Sequence, residues 1–220
     1  ILITANTTVD TLSVNGGAGN DTLKITADTE DTIFKGGAES DSVAVVGTLT
    51  NSTLFGGTGD DTVEIDGAVT DVLIQSSSGT NVIDIDGNTT ATVNGGSGND
   101  SLLVTGTLKG SYTMGGGKDT LEVDGANAVD ATLTMGEGAD SIKLANNYKG
   151  TTKLGAGDDV FTIGGTATGT IYLGVGDDLA TVAGATSELT VQTSAGNNKI
   201  GFQAGDSITL VTGEGNDSVN

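Results

Sequence analysis

Apolar side chains recur along the chain in short alternating runs, about every twenty residues. Each run follows an Asp or Asn, here called the anchor, and its apolar residues stand two and four positions after that anchor. The pairs are Leu23/Ile25, Val43/Val45, Val63/Ile65, Ile83/Ile85, Leu102/Val104, Leu121/Val123, Ile142/Leu144, Phe161/Ile163, Ala180/Val182 and Ile200/Phe202. Alternation with a period of two is typical of a strand with one buried face, so each run predicts a short strand.

A second apolar position lies seven residues before the anchors. Its members are Val14, Phe34, Leu54, Ile74, Val93, Tyr112, Leu133, Ile171, Val191 and Leu210, and Thr152 is the polar exception. A Gly usually stands six residues after the anchor, which is turn chemistry. The pattern therefore predicts two strands and two turns per unit, with no room for a helix.

The anchors themselves set the period of the fold. They are Asp21, Asp41, Asp61, Asn81, Asp100, Asp119, Asp140, Asp159, Asp178, Asn198 and Asp217, and successive anchors are 19 to 21 residues apart. One such unit cannot bury its apolar face alone, so successive units must stack. We therefore expect an all-β fold: a right-handed parallel β-solenoid of eleven coils. Residues 1–220 would form one continuous domain, and because both ends fall inside a repeat, we expect the natural chain to continue in both directions.

The amino-acid composition limits the kinds of site and partner that the chain can have. The 220 residues include no Cys, His, Pro, Trp or Arg, which excludes an imidazole base, a thiolate nucleophile, a disulfide and an ordinary zinc site. The formal net charge of −21 opposes binding to nucleic acid or to an anionic membrane. No apolar run approaches the ~20 residues that cross a bilayer, so we expect no membrane insertion. Cations held by oxygen ligands are the natural partners.

The turn that leads into each anchor is the candidate site. Its best examples are GGAGND (16–21), GGTGDD (56–61) and GGSGND (95–100). Alternating glycines permit positive φ and allow carbonyl oxygens to gather around a point. Stacking would place successive anchors ~4.8 Å apart, where two carboxylates repel by roughly 0.9 kcal/mol even in water. A Ca²⁺ between each pair of turns would relieve this repulsion. All eleven anchors are thus predicted metal ligands, with at most ten gaps for ions.

These residues resemble a known family. The segment Gly56 to Val63, GGTGDDTV, fits the pattern GGxGxDxUx, with U apolar, of the calcium-binding RTX repeat in secreted bacterial proteins. Having the turn on one edge only is similar to the calcium-bound β-helical segments of large RTX adhesins. The departures are Glu39 for a turn glycine, Ser76 to Ser78 for GGx, and the two Asn anchors. We expect these turns to bind calcium more weakly or to be held by their neighbours. The resemblance implies an extracellular or cell-surface location and export by type I secretion.

The resulting expectation is a structural protein and not an enzyme. The resemblance implies a calcium-stabilised solenoid of a bacterial surface-layer (S-layer) protein, with calcium binding between the stacked turns driving folding and assembly. Partners would be calcium ions and either like subunits or cell-surface polysaccharide. The alternative is a calcium-rigidified spacer or binding segment of a large RTX adhesin. A non-catalytic module of a secreted polysaccharide-active enzyme and an ice-binding segment are less favoured.

Two features bear on the less favoured alternatives. Paired carboxylates such as Asp158/Asp159 recur along the chain, whereas a catalytic site is normally unique, and the first Asp of each pair is expected to be solvated or auxiliary. Ice binding would need regular Thr and Asn columns, yet three residues before the anchors only Thr58 is a Thr. A different Thr column stands eight residues before the anchors, which suits exposed strand positions. It comprises Thr53, Thr92, Thr132, Thr151, Thr170, Thr190 and Thr209.

Overall fold

The computed structural model describes residues 1–125, 129–205 and 207–220, with the backbone alone at 204 and 205. Its strands are β1 Leu2–Thr4, β2 Val9–Asp10, β3 Ser13–Ala18, β4 Thr22–Thr26, β5 Thr29–Glu30, β6 Ile33–Ala38, β7 Ser42–Val46, β8 Leu49–Thr50, β9 Thr53–Thr58, β10 Thr62–Asp66, β11 Val69–Gln75, β12 Val82–Ile85, β13 Thr89–Ser97, β14 Ser101–Val104, β15 Leu108–Gly116, β16 Thr120–Val123, β17 Val129–Glu137, β18 Ser141–Leu144, β19 Tyr148–Ala156, β20 Val160–Ile163, β21 Ala167–Val175, β22 Leu179–Ala195, β23 Lys199–Gly205, β24 Ile208–Val211 and β25 Ser218–Val219.

Each strand pairs in parallel with its equivalent one coil away. Thr62 of β10, for example, is in register with Ser42 of β7 on one side and with Val82 of β12 on the other. The same parallel pairing links all the coils, and the described residues contain strands and turns but no helix. The predicted all-β parallel solenoid of about eleven coils is confirmed. With no helix in the described ranges, none there is long and apolar enough to cross a bilayer.

The core is built from the predicted apolar columns. Residues two and four after the anchor point inward in the described coils, as do those seven before it, and most are almost fully buried. Thr152, the exception in the second column, is buried as well. Its hydroxyl lies 2.8 Å from the Tyr148 hydroxyl, so each satisfies the other inside the core. The Tyr148 ring also meets the Phe161 ring edge-on, with centroids 5.7 Å apart.

A third buried position, eight residues after the anchor, was missed by the sequence pattern. It holds Thr29, Leu49, Val69, Thr89, Leu108, Tyr148, Ala167 and Thr186. Three of these are Thr, so the column does not look apolar. The hydroxyl of Thr29 donates to the Ala27 carbonyl, and that of Thr89 to the Gly87 carbonyl. A coil therefore has three inward-facing segments, where the sequence predicted two strands.

The variation in coil length also has a structural cause. Coils of 20 residues carry a non-glycine residue with positive φ ten positions before the anchor: Thr11, Asp31, Asn51, Asp71 and Glu188. In 19-residue coils such as β15, Leu108–Gly116, the strand runs through this position. Where the two lengths meet, Thr70 pairs with Thr90 and Val72 with Ala91, so Asp71 is skipped. The twentieth residue is thus a single bulge, and it leaves the inward columns in register.

Candidate metal centre

The eleven predicted ligands form one continuous ladder along an edge of the solenoid. The backbone N–H of each anchor donates to the side-chain Oδ1 of the anchor in the following coil, at 2.7 to 3.1 Å, from Asp21 through to Asp217. The nine inner anchors are at most 3 % exposed, while Asp21 and Asp217 are half-buried. The structure thus brings all the predicted site residues together, facing inward.

Glycines let the turns stack closely enough for this ladder. Gly57 has a φ of 109° and Gly59 a φ of 122°, a region that side chains rarely adopt. A Cβ added at Gly57 would lie 2.1 Å from the Gly37 carbonyl oxygen of the preceding coil. Glu39, the non-glycine departure, takes the same conformation with a φ of 71°, and its Oε2 accepts the Gly19 N–H at 2.7 Å. That turn therefore keeps its shape.

The second oxygen of each anchor carboxylate is the unusual atom. Among the described residues, eight buried Oδ2 atoms have no hydrogen-bond partner: those of Asp21, Asp41, Asp61, Asp100, Asp119, Asp140, Asp159 and Asp178. A buried polar atom without a partner costs roughly 1–3 kcal/mol, and more when it is charged. A repeated row of such atoms needs a counter-charge.

Backbone carbonyl oxygens of the next coil lie beside these Oδ2 atoms. A Cβ added at Gly36 would lie 2.2 Å from Asp41 Oδ2 and 2.4 Å from the Gly56 carbonyl oxygen of the next coil. Gly95 shows the same arrangement with Asp100 Oδ2 and the Met114 carbonyl oxygen. An orphaned carboxylate oxygen and a carbonyl thus converge between coils. This donor set, hard oxygens only, fits a cation such as Ca²⁺.

Burial raises the pKa of six anchor carboxyls. Loss of water contact is the largest cause, and it moves the pKa of Asp119 and Asp178 to about 6 and that of Asp159 to about 7. The pKa values of Asp61, Asp100 and Asp140 move in the same direction. Neighbouring carboxylates add to the rise at Asp119 and Asp159, while the backbone N–H donor opposes it. The ladder is therefore an unfavourable place for bare negative charge.

Within the described ranges, no three acidic side chains converge on one point. The stacking explains this, because only two anchors border any gap between coils. A cation held there would take at most two side-chain carboxylates, and backbone carbonyls would have to complete its ligands. The sequence pattern, with one anchor in each coil, is consistent with ligands shared between two side chains and the backbone.

The two Asn anchors keep their places in the ladder but differ in the second atom. The Asn81 Oδ1 accepts the Asp61 N–H, so its amide nitrogen must occupy the position of an Oδ2. That nitrogen donates to the Gly79 carbonyl, the Gly95 carbonyl and Asp100 Oδ1, at 3.2, 3.4 and 2.8 Å. The Asn198 amide nitrogen likewise donates to the Gly196 carbonyl and to Asp217 Oδ1. Both amides are satisfied by the protein itself.

A second ladder runs beside the first and was not predicted. Here the side-chain Oδ1 of the exposed residue before the anchor accepts the backbone N–H of the equivalent residue in the following coil. In the anchor ladder, the Oδ1 atom accepts from the preceding coil instead. The acceptors of this second ladder are Asn20, Asp60, Asn99, Asp158, Asp177 and Asn197. These side chains are solvated, as predicted, but they also cap the backbone of the next turn. The sequence feature that could have predicted this second ladder is the recurrence of Asn and Asp at the position before the anchor.

Comparisons with known proteins support the fold. No protein-family model and no curated protein matches the chain. One solved structure does: a crystal structure described as a hyperactive, Ca²⁺-dependent, β-helical antifreeze protein from an Antarctic bacterium. It aligns with a TM-score of 0.77 at 18 % sequence identity, covering 97 % of this chain and 83 % of that one. The β-helical architecture is shared, and the resemblance to RTX repeats stays a prediction.

Proposed function

We propose that this chain is a calcium-stabilised structural solenoid, in which ion binding between the stacked anchor turns is coupled to folding. The eight buried, unpartnered Oδ2 atoms carry the proposal. The anchor carboxylates and the neighbouring turn carbonyls would hold the ions. Bound calcium would supply the counter-charge that the ladder requires, and without it the repulsion and desolvation of the carboxylates oppose folding.

The chemistry of the chain favours calcium over other metals. Without His or Cys, the chain has no imidazole or thiolate to hold zinc, copper or iron–sulfur groups. Magnesium prefers near-ideal octahedral sites that keep several waters, which suits a dry gap between coils poorly. The Ca²⁺ dependence in the description of the structural neighbour agrees with this choice.

The biological setting we propose is the bacterial exterior, as an S-layer component exported by type I secretion. Drifting, imperfect coils such as those around Glu39 and Ser76 differ from the near-identical modules of an adhesin spacer, the alternative role. Self-association with like subunits or binding to cell-surface polysaccharide would complete either role. Assembly into sheets on calcium addition would favour the lattice, whereas monomeric rods that bind a ligand would favour the adhesin.

The paired carboxylates support a non-catalytic role. Asp159 is buried in the anchor ladder, while Asp158 is exposed and caps the Asp177 N–H. The same split separates Asp60 from Asp61 and Asp177 from Asp178. The two members of a pair therefore do not face one cleft, as an acid and a base would.

Isothermal calorimetry of the chelator-treated chain tests the metal proposal. We expect Ca²⁺ to bind at several sites with a large heat of coupled folding, and Mg²⁺ at the same concentration to leave the chain largely unfolded. Absence of calcium binding at millimolar concentration, or equal folding by both ions, would contradict the proposal.

Ice binding is a second candidate. The observation in its favour is an outward-facing hydroxyl column in which Thr92, Ser111, Thr132, Thr151, Thr170, Thr190 and Thr209 stand in register over seven coils. The structural neighbour is described as an antifreeze protein. Thermal hysteresis of the calcium-loaded chain would test it. Activity lost in Thr132→Lys and kept in Thr120→Lys, on another face, would support the candidate; no hysteresis in the original chain would exclude it.

A further inference from the structure

The anchor column contains two amides among nine carboxylates, and their contacts differ from those of the Asp anchors. From Asp41 to Asp178, the Oδ1 of each Asp anchor faces the preceding coil, where it accepts the N–H of the preceding anchor. The Oδ2 atoms of Asp21, Asp41 and Asp100 lie toward the following coil, since each lies close to the same point as a carbonyl oxygen of that coil, as Asp41 Oδ2 does with the Gly56 carbonyl. The forward-facing atom of Asn81 is instead an amide nitrogen. Each gap between coils is thus defined by the forward atom of its first anchor.

The hydrogen bonds of Asn81 outline the oxygens around such a gap. Its amide nitrogen donates to the carbonyl of Gly79, which lies two residues before Asn81. It also donates to the carbonyl of Gly95, which lies five residues before the next anchor, and to Oδ1 of that anchor, Asp100. A positively polarised NH₂ group surrounded by three oxygens has the surroundings that a cation would require.

We propose that the amide groups of Asn81 and Asn198 occupy cation positions, and so close two gaps of the column to metal ions. This inference rests on the proposed calcium function. The same oxygens hold the ion in the gaps that begin with Asp. In the gap from Asp41 to Asp61 they are Asp41 Oδ2, the carbonyls of Glu39 and Gly56, and Asp61 Oδ1.

The orphaned oxygens agree with this assignment. Each of the eight Asp anchors with an unpartnered Oδ2 is the first anchor of a gap. The gap after Asn81 and the gap after Asn198 begin with an amide. At the end of the column, Asp217 Oδ1 accepts the Asn198 amide and Oδ2 accepts the Thr193 hydroxyl at 3.2 Å. Asp217 is thus satisfied by protein donors alone.

The column then holds eight ions, in a block of three between Asp21 and Asn81 and a block of five between Asp100 and Asn198. The sequence alone predicted up to ten, with weaker binding at the Asn turns. The structure instead assigns normal sites before each Asn and closed gaps after it. An Asn anchor also joins two coils without any ion, because a neutral amide donates where a carboxylate would repel.

Native mass spectrometry of the calcium-loaded full chain tests the inference. We expect eight calcium ions on the original chain, nine on Asn81→Asp, and eight on Asn94→Asp, which adds the same charge at an exposed position of the neighbouring coil. In chelator, Asn81→Asp should be less folded than Asn94→Asp, because a carboxylate pair replaces the amide hydrogen bond.

Nine or more ions on the original chain, or eight on a folded Asn81→Asp variant, would overturn the inference while leaving calcium binding intact. An original chain that binds no calcium would overturn the proposed function, and the inference with it. Asn198→Asp repeats the change near the other end of the column, with nine ions expected again. A folding failure of Asn81→Asp therefore still leaves a decisive count.

Discussion

At the residue scale, one side-chain atom at the anchor decides whether a coil junction needs a metal. An Asp places a buried, unpartnered oxygen toward the next coil, as Asp119 does, whereas Asn81 places a hydrogen-bond donor there. The remaining contacts of the two side chains are alike, since both accept an N–H through Oδ1. Exchanging a carboxylate for an amide at the anchor therefore changes whether the junction needs a metal ion, while the shape of the turn stays the same.

The substitution Asp119→Asn should remove one metal site and make the metal-free chain more stable. Its amide would donate to Asp140 Oδ1, as that of Asn81 does to Asp100, so we expect the free energy of unfolding in chelator to rise by ~1–3 kcal/mol. In calcium the variant should hold one ion fewer and be less stable than the original chain. Because the original chain is expected to be largely unfolded in chelator, the β-sheet signal in circular dichroism measures the first effect there, and denaturant unfolding measures the second effect in calcium. The exposed change Asp130→Asn is the control, and a variant destabilised in chelator would contradict the account.

Gly57→Ala should disrupt the turn stacking. Its φ of 109° and the 2.1 Å approach of an added Cβ to the Gly37 carbonyl both oppose a side chain. Backbone strain alone costs ~1–3 kcal/mol, so the melting temperature in calcium should fall by several degrees. Gly116→Ala is the matched control, because an added Cβ there meets no described atom within 4 Å. Equal melting temperatures for the two variants would refute this role of Gly57.

At the scale of the elements, the coil is a three-sided unit that tolerates one extra residue. Asp71 interrupts β11 at a bulge, while the neighbouring β13 runs unbroken through the equivalent position. Coils of both lengths keep the same inward columns, because the extra residue falls at a corner and not within an alternating strand. In the 20-residue coils, the added residue thus lies ten positions before the anchor, away from the anchor ladder.

Deleting Asp71 should therefore be tolerated. Thr70 and Val72 already pair with the consecutive residues Thr90 and Ala91, so the shortened strand would match β13 directly. We expect the melting temperature in calcium to change by only a few degrees. Deleting Leu73 instead would shift the alternation and turn the inward residues outward, with loss of cooperative unfolding. If both deletions unfold the chain alike, the bulge is an essential part of the coil.

Much of this architecture was predictable from the sequence, because period-two alternation and a steady anchor spacing both leave direct traces in it. The column containing Thr29 and Thr89 was not predictable, since those hydroxyls are buried by bonding to local carbonyls and look like surface positions. Thr152 was recognised as the polar exception in its column, but its burial depends on the hydroxyl of Tyr148, four residues away, which the sequence pattern does not reveal. The anchor positions were found from spacing, but the opposite directions of Oδ1 and Oδ2 depend on three-dimensional stacking. The function of Asn81 follows only from that geometry.

At the scale of the whole molecule, a net charge of −21 adds to the local repulsion along the ladder. The rod concentrates buried carboxylates on one edge, so its stability depends on what neutralises them. Protons and calcium ions are two ways to do so, and they compete for the same oxygens. The pH dependence should consequently reverse between chelator and calcium.

The sign follows from the pKa values. Folding raises the pKa of Asp119 and Asp178 to about 6 and that of Asp159 to about 7, so the ion-free folded chain binds more protons than the unfolded chain. In chelator, the β-sheet signal and melting temperature should therefore be greater at pH 5 than at pH 8. In saturating calcium they should be greater at pH 8. A chelator-treated chain that is more stable at pH 8 would contradict this scheme.

Circular dichroism during a calcium titration tests the central claim most directly. Starting in excess chelator at pH 8, we predict a largely unfolded spectrum that changes cooperatively to a β-sheet spectrum as calcium rises into the millimolar range. Magnesium at the same concentrations should not reproduce the transition. A chain with the same β-sheet spectrum in excess chelator as in calcium would contradict the coupling of ion binding to folding.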